Sequence, residues 1–357
     1  MSSSIRHLSH QTAPSPPLPS RTYDSHMHIV SPDTTRYPFS PSTTYTPAPH
    51  TLEDMTAFYS ALTPSSPSPA RSDPGQTIHP VFIQPSPYGT DNSLLIAALE
   101  DLNFDSTTSS GLARGIVVID PQNPPPTSTL QKWHALGVRG VRINLVSVGR
   151  KLSPAELEAE LMAYADIIRP LGKGWVLQLY ISLDSIPALE EIVPKLGGEI
   201  GDEVRVVIDH LGSPTLPASS STTASTAEGP PPVDPTTLPG FDSLLRLLEA
   251  GNTYVKISGT YRLTRNSIDI NNPSDTDRIV KALLKSRRGE RCVWASDWPH
   301  TRFEAKGIDT GKWISRCWDL MRETVREETG AGGEEVEREV QRRGELLFWG
   351  NAERLWN

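Results

Sequence analysis

Cysteine is nearly absent from this chain: Cys292 and Cys317 are its only two among 357 residues. They form no Cys-x-x-Cys and no disulfide framework, a usage that fits a reducing compartment. No apolar run approaches the roughly 20 residues that a spanning helix needs, and the first residues lack the apolar core of a secretory signal. A cytoplasmic protein without a membrane segment is the expectation. An excess of positive charge is missing too, since 34 Lys and Arg face 42 Asp and Glu for a formal charge of -8. Phosphate affinity rests on clustered cations, so nucleic acid is not an expected partner. No repeat of solenoid period is visible. No Gly-rich turn follows the first strand-like segment, which argues against a dinucleotide-binding doubly wound sheet.

Proline is plentiful, with 33 residues, and it gathers with Ser and Thr in three places. Residues 1–21 read as a disordered tail, and 64–76 and 213–239 as insertions too polar to offset the entropy of ordering. For the second insertion the composition favours disorder over a lid. These tracts dilute the 36% hydrophobic content, so the folded part is richer than that figure. The remainder, 22–357, reads as a single domain.

Within it, apolar strand-like runs alternate with helix-like segments. The runs are Tyr23–Val30, Pro80–Gln84, Ala113–Asp120, Val138–Leu145, Trp175–Tyr180, Val204–His210, Tyr254–Ser258 and Cys292–Asp297. Between them lie helical patterns at Leu52–Leu62, Ser93–Leu102, Thr127–Leu136, Pro154–Arg169, Ile186–Leu196, Phe241–Ala250 and Ser274–Ser286, with Trp313–Thr329 and Glu334–Leu347 beyond. Eight strands in alternation with helices predict an α/β fold, a (β/α)8 TIM-type barrel. The apolar C-terminal stretch ending at Trp356 is expected to dock on the barrel exterior.

Such a barrel keeps its chemistry at the carboxyl ends of its strands. The first strand carries Asp24-Ser-His-Met-His28, whose alternation puts His26 and His28 side by side with Asp24 in line behind them. Ser86, Arg142, Asn144, Tyr180, His210, Ser258, Arg262 and Asp297 end or follow the other strands. Closure would bring Asp297 beside the histidine pair, where a carboxylate could take a proton from a held water. Two arginines, Arg142 and Arg262, suit a substrate with more than one carboxylate. By the same alternation Asp209 points away from the pocket and serves the scaffold. Taken singly, each residue has a plainer alternative: a core histidine, a turn-capping aspartate, a surface ion pair.

Taken together and in order, several motifs are specific. They are Asp24-Ser-His-Met-His28, Gln84-Pro-Ser-Pro-Tyr-Gly-Thr-Asp-Asn92, Gly137-Val-Arg-Gly-Val-Arg142, Ile208-Asp-His-Leu-Gly212, Ser258-Gly-Thr-Tyr-Arg262, Ser296-Asp-Trp-Pro-His300 and Asn351-Ala-Glu-Arg-Leu355. From about Thr22 onward the chain resembles the amidohydrolase superfamily, in its 2-pyrone-4,6-dicarboxylate lactonase branch. The resemblance implies a distorted barrel that hydrolyses a lactone with His26, His28, His210 and Asp297 around the reactive water. It implies a small carboxylated substrate held by Ser86, Arg142, Tyr180 and Arg262, with Arg139 and Arg150 as further candidates. Many superfamily members bind zinc, and here His26, His28, His210 and Asp297 could hold one ion. The lactonase branch is regarded as metal-independent, so no cofactor is expected. The alternatives are a zinc-dependent decarboxylase or hydrolase of an aromatic-type acid, and a non-catalytic barrel serving as a binding scaffold.

Overall fold

The computed structural model describes residues 18–62, 77–103, 113–172, 174–197, 204–218, 230–267, 269–330 and 332–357. Eight strands run in parallel: β1 (Arg21–Met27), β2 (Thr77–Ile83), β3 (Arg114–Val117), β4 (Val138–Asn144), β5 (Val176–Tyr180), β6 (Arg205–Ile208), β7 (Thr253–Ile257) and β8 (Cys292–Trp294). They pair strictly in chain order. Two backbone bonds bring the ends of that sheet together, from Asp297 N to His26 O at 3.0 Å and from His28 N to Trp298 O at 2.9 Å. The result is the nearly closed barrel that strand count and alternation predict.

Helices wrap the outside, several with the bounds that sequence signals give. Leu52–Leu62 starts at a reciprocal cap, in which Thr51 N donates to Asp54 Oδ2 at 2.7 Å and Asp54 N to Thr51 Oγ1 at 3.2 Å. Thr127–Leu136 and Phe241–Ala250 each stop at a left-handed glycine. The helix expected at Ile186–Leu196 is instead a 3₁₀ turn, one α turn at Leu189–Ile192 and a second 3₁₀ turn. Pro187 and Pro194 lack the amide hydrogens that a continuous helix requires.

Apolar side chains form two layers. One lies between strands and helices and includes Leu99, Leu161, Leu244, Leu283 and Trp318. The other fills the lower barrel interior with Val81, Val176, Val207, Tyr254 and Val293, and Leu355 and Trp356 belong to it. The C-terminal helix Asn351–Trp356 therefore plugs the amino-terminal mouth rather than docking on the exterior. Residues 1–17, 64–76 and 219–229, read as disordered, lie outside the described residues. The flanks of those tracts are packed: Leu18 is buried before β1, and Val233 and Leu238 are buried within 230–239. No helix among the described residues is long and apolar enough to cross a membrane.

Candidate active site

A bulge in β1 sets the histidine pair. Register with β2 shifts between Asp24 and Met27, so simple alternation fails there. Asp24 consequently does not stand behind the histidines. It faces outward to the β1–β8 junction, accepting bonds from Ser296 N at 2.8 Å and Tyr59 OH at 3.4 Å. His26 and His28 face inward, with their Nε2 atoms 3.4 Å apart. His28 Nδ1 lies 2.7 Å from Ile83 O, which only accepts, so that nitrogen carries the hydrogen and Nε2 keeps its lone pair. Burial and the nearby Arg142 push the His28 pKa down to about 3, so it stays neutral.

Asp297 completes the group from just beyond β8, on a left-handed backbone with φ of 62°. Its two oxygens have different surroundings. Oδ2 accepts from Tyr261 OH and from Arg262 Nε, each at 2.6 Å. Oδ1 is buried, makes no hydrogen bond among the described residues, and lies 3.8 Å from His26 Nε2. Burial by itself would raise the Asp297 carboxyl, but Arg262, with His210 and His26, outweighs it and holds the group well below the usual range. His210 stands across the pocket, its Nδ1 3.0 Å from Ser258 Oγ and 4.0 Å from Asp297 Oδ2. A Cβ at Gly259 would meet that Nδ1 at 2.7 Å, so only glycine lets the imidazole sit there.

Asp209 also faces inward, contrary to the alternation argument. β6 ends at Ile208, and the left-handed backbone at His210 and Leu211 lets the neighbouring side chains of Asp209 and His210 both approach His26. Asp209 Oδ1 is 3.3 Å from His26 Nδ1 and 3.2 Å from Lys256 Nζ. Lys256 is wholly buried and also reaches Gln178 Oε1 at 2.7 Å and His26 Nδ1 at 3.2 Å. Burial pushes its ammonium down to about 8 against the attraction of Asp209, which leaves the charged form predominant at neutral pH. Sequence reasoning passes over Lys256 and Gln178, although a charged residue alternating with Val255 and Ile257 on β7 is a usable signal.

The pocket above the histidines measures about 570 Å³ with its open mouth. Ser86, Arg142, Tyr180, His210, Arg262 and Asp297 all line it. Arg142 donates from Nη1 to Gln84 O at 2.9 Å, while its Nε is buried and unpartnered among the described residues. Asn144 Nδ2 donates to Ser86 Oγ at 2.7 Å, leaving the hydroxyl hydrogen for a ligand. Tyr180 meets the His210 ring edge-on, with centroids 5.1 Å apart. Tyr45 and Arg302, from loops after β1 and β8, also line the mouth, and sequence reasoning passed over both. Two expected arginines are elsewhere. Arg139, near the start of β4, donates to His134 O and Val138 O at the opposite barrel end. Arg150 points out to Glu160, 2.6 Å away, beyond the turn whose Val146 and Ser147 line the pocket.

His26, His28 and Asp297 could offer three donor atoms to one metal ion, all within 4.8 Å of one another, and His26, Asp209 and His210 form a second such set. The unpartnered Asp297 Oδ1 fits a ligand role. Arg262 on the other oxygen and Lys256 beside His26 place two cations next to that position.

A family model described as amidohydrolase matches residues 23–357. A 2-pyrone-4,6-dicarboxylate hydrolase from Comamonas testosteroni is 27% identical over 298 residues, covering 82% of each chain. A 4-sulfomuconolactone hydrolase from Hydrogenophaga intermedia is 26% identical over 291 residues, covering 80% of this chain and 77% of its own. Among solved structures, one from Pseudomonas putida described as a 2-pyrone-4,6-dicarboxylic acid hydrolase superposes with a TM-score of 0.63 at 26% identity, covering 95% of this chain and 98% of its own.

Proposed function

Because the chain belongs to the amidohydrolase family of hydrolases, we propose that it opens a small carboxylated lactone of the 2-pyrone-4,6-dicarboxylate type. The observation that carries this reading is the divided environment of Asp297, one oxygen pinned by Tyr261 and Arg262 and the other free beside the imidazoles. Arg142 with Ser86 on one wall and Arg262 on the other suit two carboxylates of one planar ring. A carboxylate that draws Arg262 toward itself weakens that residue's hold on Asp297 and makes Asp297 a better base. Oδ1 then takes a proton from water as the oxygen attacks the ring carbonyl, and His210 on the opposite wall meets the oxyanion. Collapse breaks the ring C–O bond, and Asp297 returns the proton to the leaving oxygen.

The same reading has the enzyme working in the cytoplasm and without a metal. Arg262 and Lys256 already supply positive charge on both sides of the histidines, where an added cation would be repelled. The three-donor set favours a second reading, in which His26, His28 and Asp297 hold zinc that polarises the carbonyl.

Incubation with pyrone carboxylates, followed by loss of the ring absorbance, tests the first reading. Asp297→Asn should lower kcat by about 10²–10⁴-fold, the range for a general acid–base group, with an unchanged circular dichroism spectrum. Full activity in that variant would sink the assignment. Activity that survives chelation in zinc-free protein supports the metal-free form, and loss restored by zinc supports the second reading.

A further inference from the structure

The Lys256 ammonium donates to Gln178 Oε1 at 2.7 Å and faces His26 Nδ1 at 3.2 Å, with Asp209 Oδ1 as its counter-charge at 3.2 Å. The whole group is buried, with Lys256, Gln178, Asp209 and His26 at 0% exposure, so no solvent competes for these contacts. We infer that Lys256 is a positioning residue that fixes His26 as the Nε2–H tautomer, making this imidazole the hydrogen-bond donor to His28 beneath the pocket.

Three independent features of the geometry lead there. An ammonium has no lone pair, so the His26 nitrogen facing it at hydrogen-bonding geometry must be the acceptor. The contact from the same nitrogen to Asp209 Oδ1 spans 3.3 Å, yet Oδ1 forms no directional hydrogen bond among the described residues. Asp209 therefore acts on Lys256 as a counter-charge and does not draw the proton to Nδ1. The third feature is His28. Its Nδ1 donates to Ile83 O, so its Nε2 presents a lone pair to His26 Nε2 only 3.4 Å away. A hydrogen on Nδ1 of His26 would leave two lone pairs facing each other in a dry interior, whereas Nε2–H supplies the missing donor. The chain of donation then runs one way, from Lys256 to His26 to His28 to Ile83 O.

This arrangement has a consequence for metal. The Nε2–H tautomer has no lone pair to give from Nε2, so a cation entering the set of His26, His28 and Asp297 must first displace the Lys256 bond. The inference deepens the reading of the same site and rests on the lactone reading only for its catalytic consequence.

Long-range imidazole nitrogen NMR of the full-length enzyme, without substrate, tests it, with His26 assigned by its absence from His26→Gln. The wild type should give a pyridine-like Nδ1 and a pyrrole-like Nε2 for His26. Lys256→Met should shift the pattern toward Nδ1–H, since Asp209 then becomes an acceptor that outweighs the lone pair of His28. A wild-type spectrum with the hydrogen on Nδ1 would overturn the proposal, and so would an unchanged pattern in a folded Lys256→Met protein. Should that variant not fold, the wild-type spectrum decides alone. Stoichiometric zinc retained by the wild type after dialysis, with a shift of His26 Nε2, would also overturn it. None of these readouts depends on turnover, so a failed substrate screen and a failed tautomer assignment are separable.

Discussion

At the residue scale the pocket is governed by groups with bonding capacity left over. Arg142 gives Nη1 to Gln84 O, while its buried Nε has no partner among the described residues. A buried donor without a partner costs about 1–3 kcal/mol, and a bound carboxylate would remove that cost. Arg142→Met should therefore raise KM for a pyrone dicarboxylate about 10–100-fold, from the roughly 1.5–3 kcal/mol of a charged hydrogen bond. Because the Arg142 bond goes to Gln84 O and not to Asp297, kcat should change by much less. Steady-state kinetics separates the two, and a fall in kcat at constant KM would move Arg142 from binding to the chemical step. Such residues were legible from sequence because strand ends converge in a closed barrel. Asp209 was not, because parity along β6 stops at Ile208 and the backbone turns left-handed just after it. Asp24 was misplaced for a related reason, the bulge in β1. Parity arguments hold inside a regular strand and fail where the chain bends to build a site.

At the element scale, periodicity located helices well where a glycine stop ended them, as at Thr127–Leu136 and Phe241–Ala250. It also found the helix Glu334–Glu345, but not why that helix contains a glycine. Gly344, inside the helix Glu334–Glu345, looks like a defect, since glycine in a helix interior costs about 1 kcal/mol relative to alanine. The neighbouring helix explains it. A Cβ at Gly344 would lie 2.0 Å from two ring atoms of Trp318, itself fully buried on Thr310–Thr329 and tilted against Phe348. The indole cannot recede without displacing that neighbour. Overpacking typically costs about 1–3 kcal/mol, which exceeds the gain in propensity for all but the mildest overlap. Gly344→Ala should thus lower the melting temperature by several degrees. A thermal melt checks this, and a higher Tm would mean that these two helices can separate freely. Sequence alone could not have supplied the answer, because the opposing residue lies on a different helix.

At the scale of the whole molecule, the barrel interior is a stack with an apolar base and a polar top. Trp356 closes the base, its ring 5.7 Å from Lys256 Nζ and its Nε1 donating to Ser25 Oγ at 3.2 Å. Above it lie Lys256, then His26, then Asp297 at the pocket floor. The apolar plug keeps water from the buried ammonium and carboxylate, so the electrostatics of the site depend on a residue at the far end of the barrel. From sequence the C-terminal helix reads as an exterior element, because its apolar residues suit either surface equally. What distinguishes them is the set of small β-branched residues inside the strands, Val81, Val176, Val207 and Val293, which leave room for an indole. Trp356→Ala should destabilise the protein by about 3–5 kcal/mol, as for other fully buried large-to-small changes. Trp349 provides the comparison, since it is half-buried on the outer side of the plug, stacked on Tyr23 and beneath Arg21. Trp349→Ala should cost less. Urea unfolding of both variants measures the difference, with the larger drop in midpoint expected for Trp356→Ala. Equal drops would mean that the base of the barrel is held by the terminal helix as a whole, and that the indole in contact with the Lys256 layer adds nothing of its own.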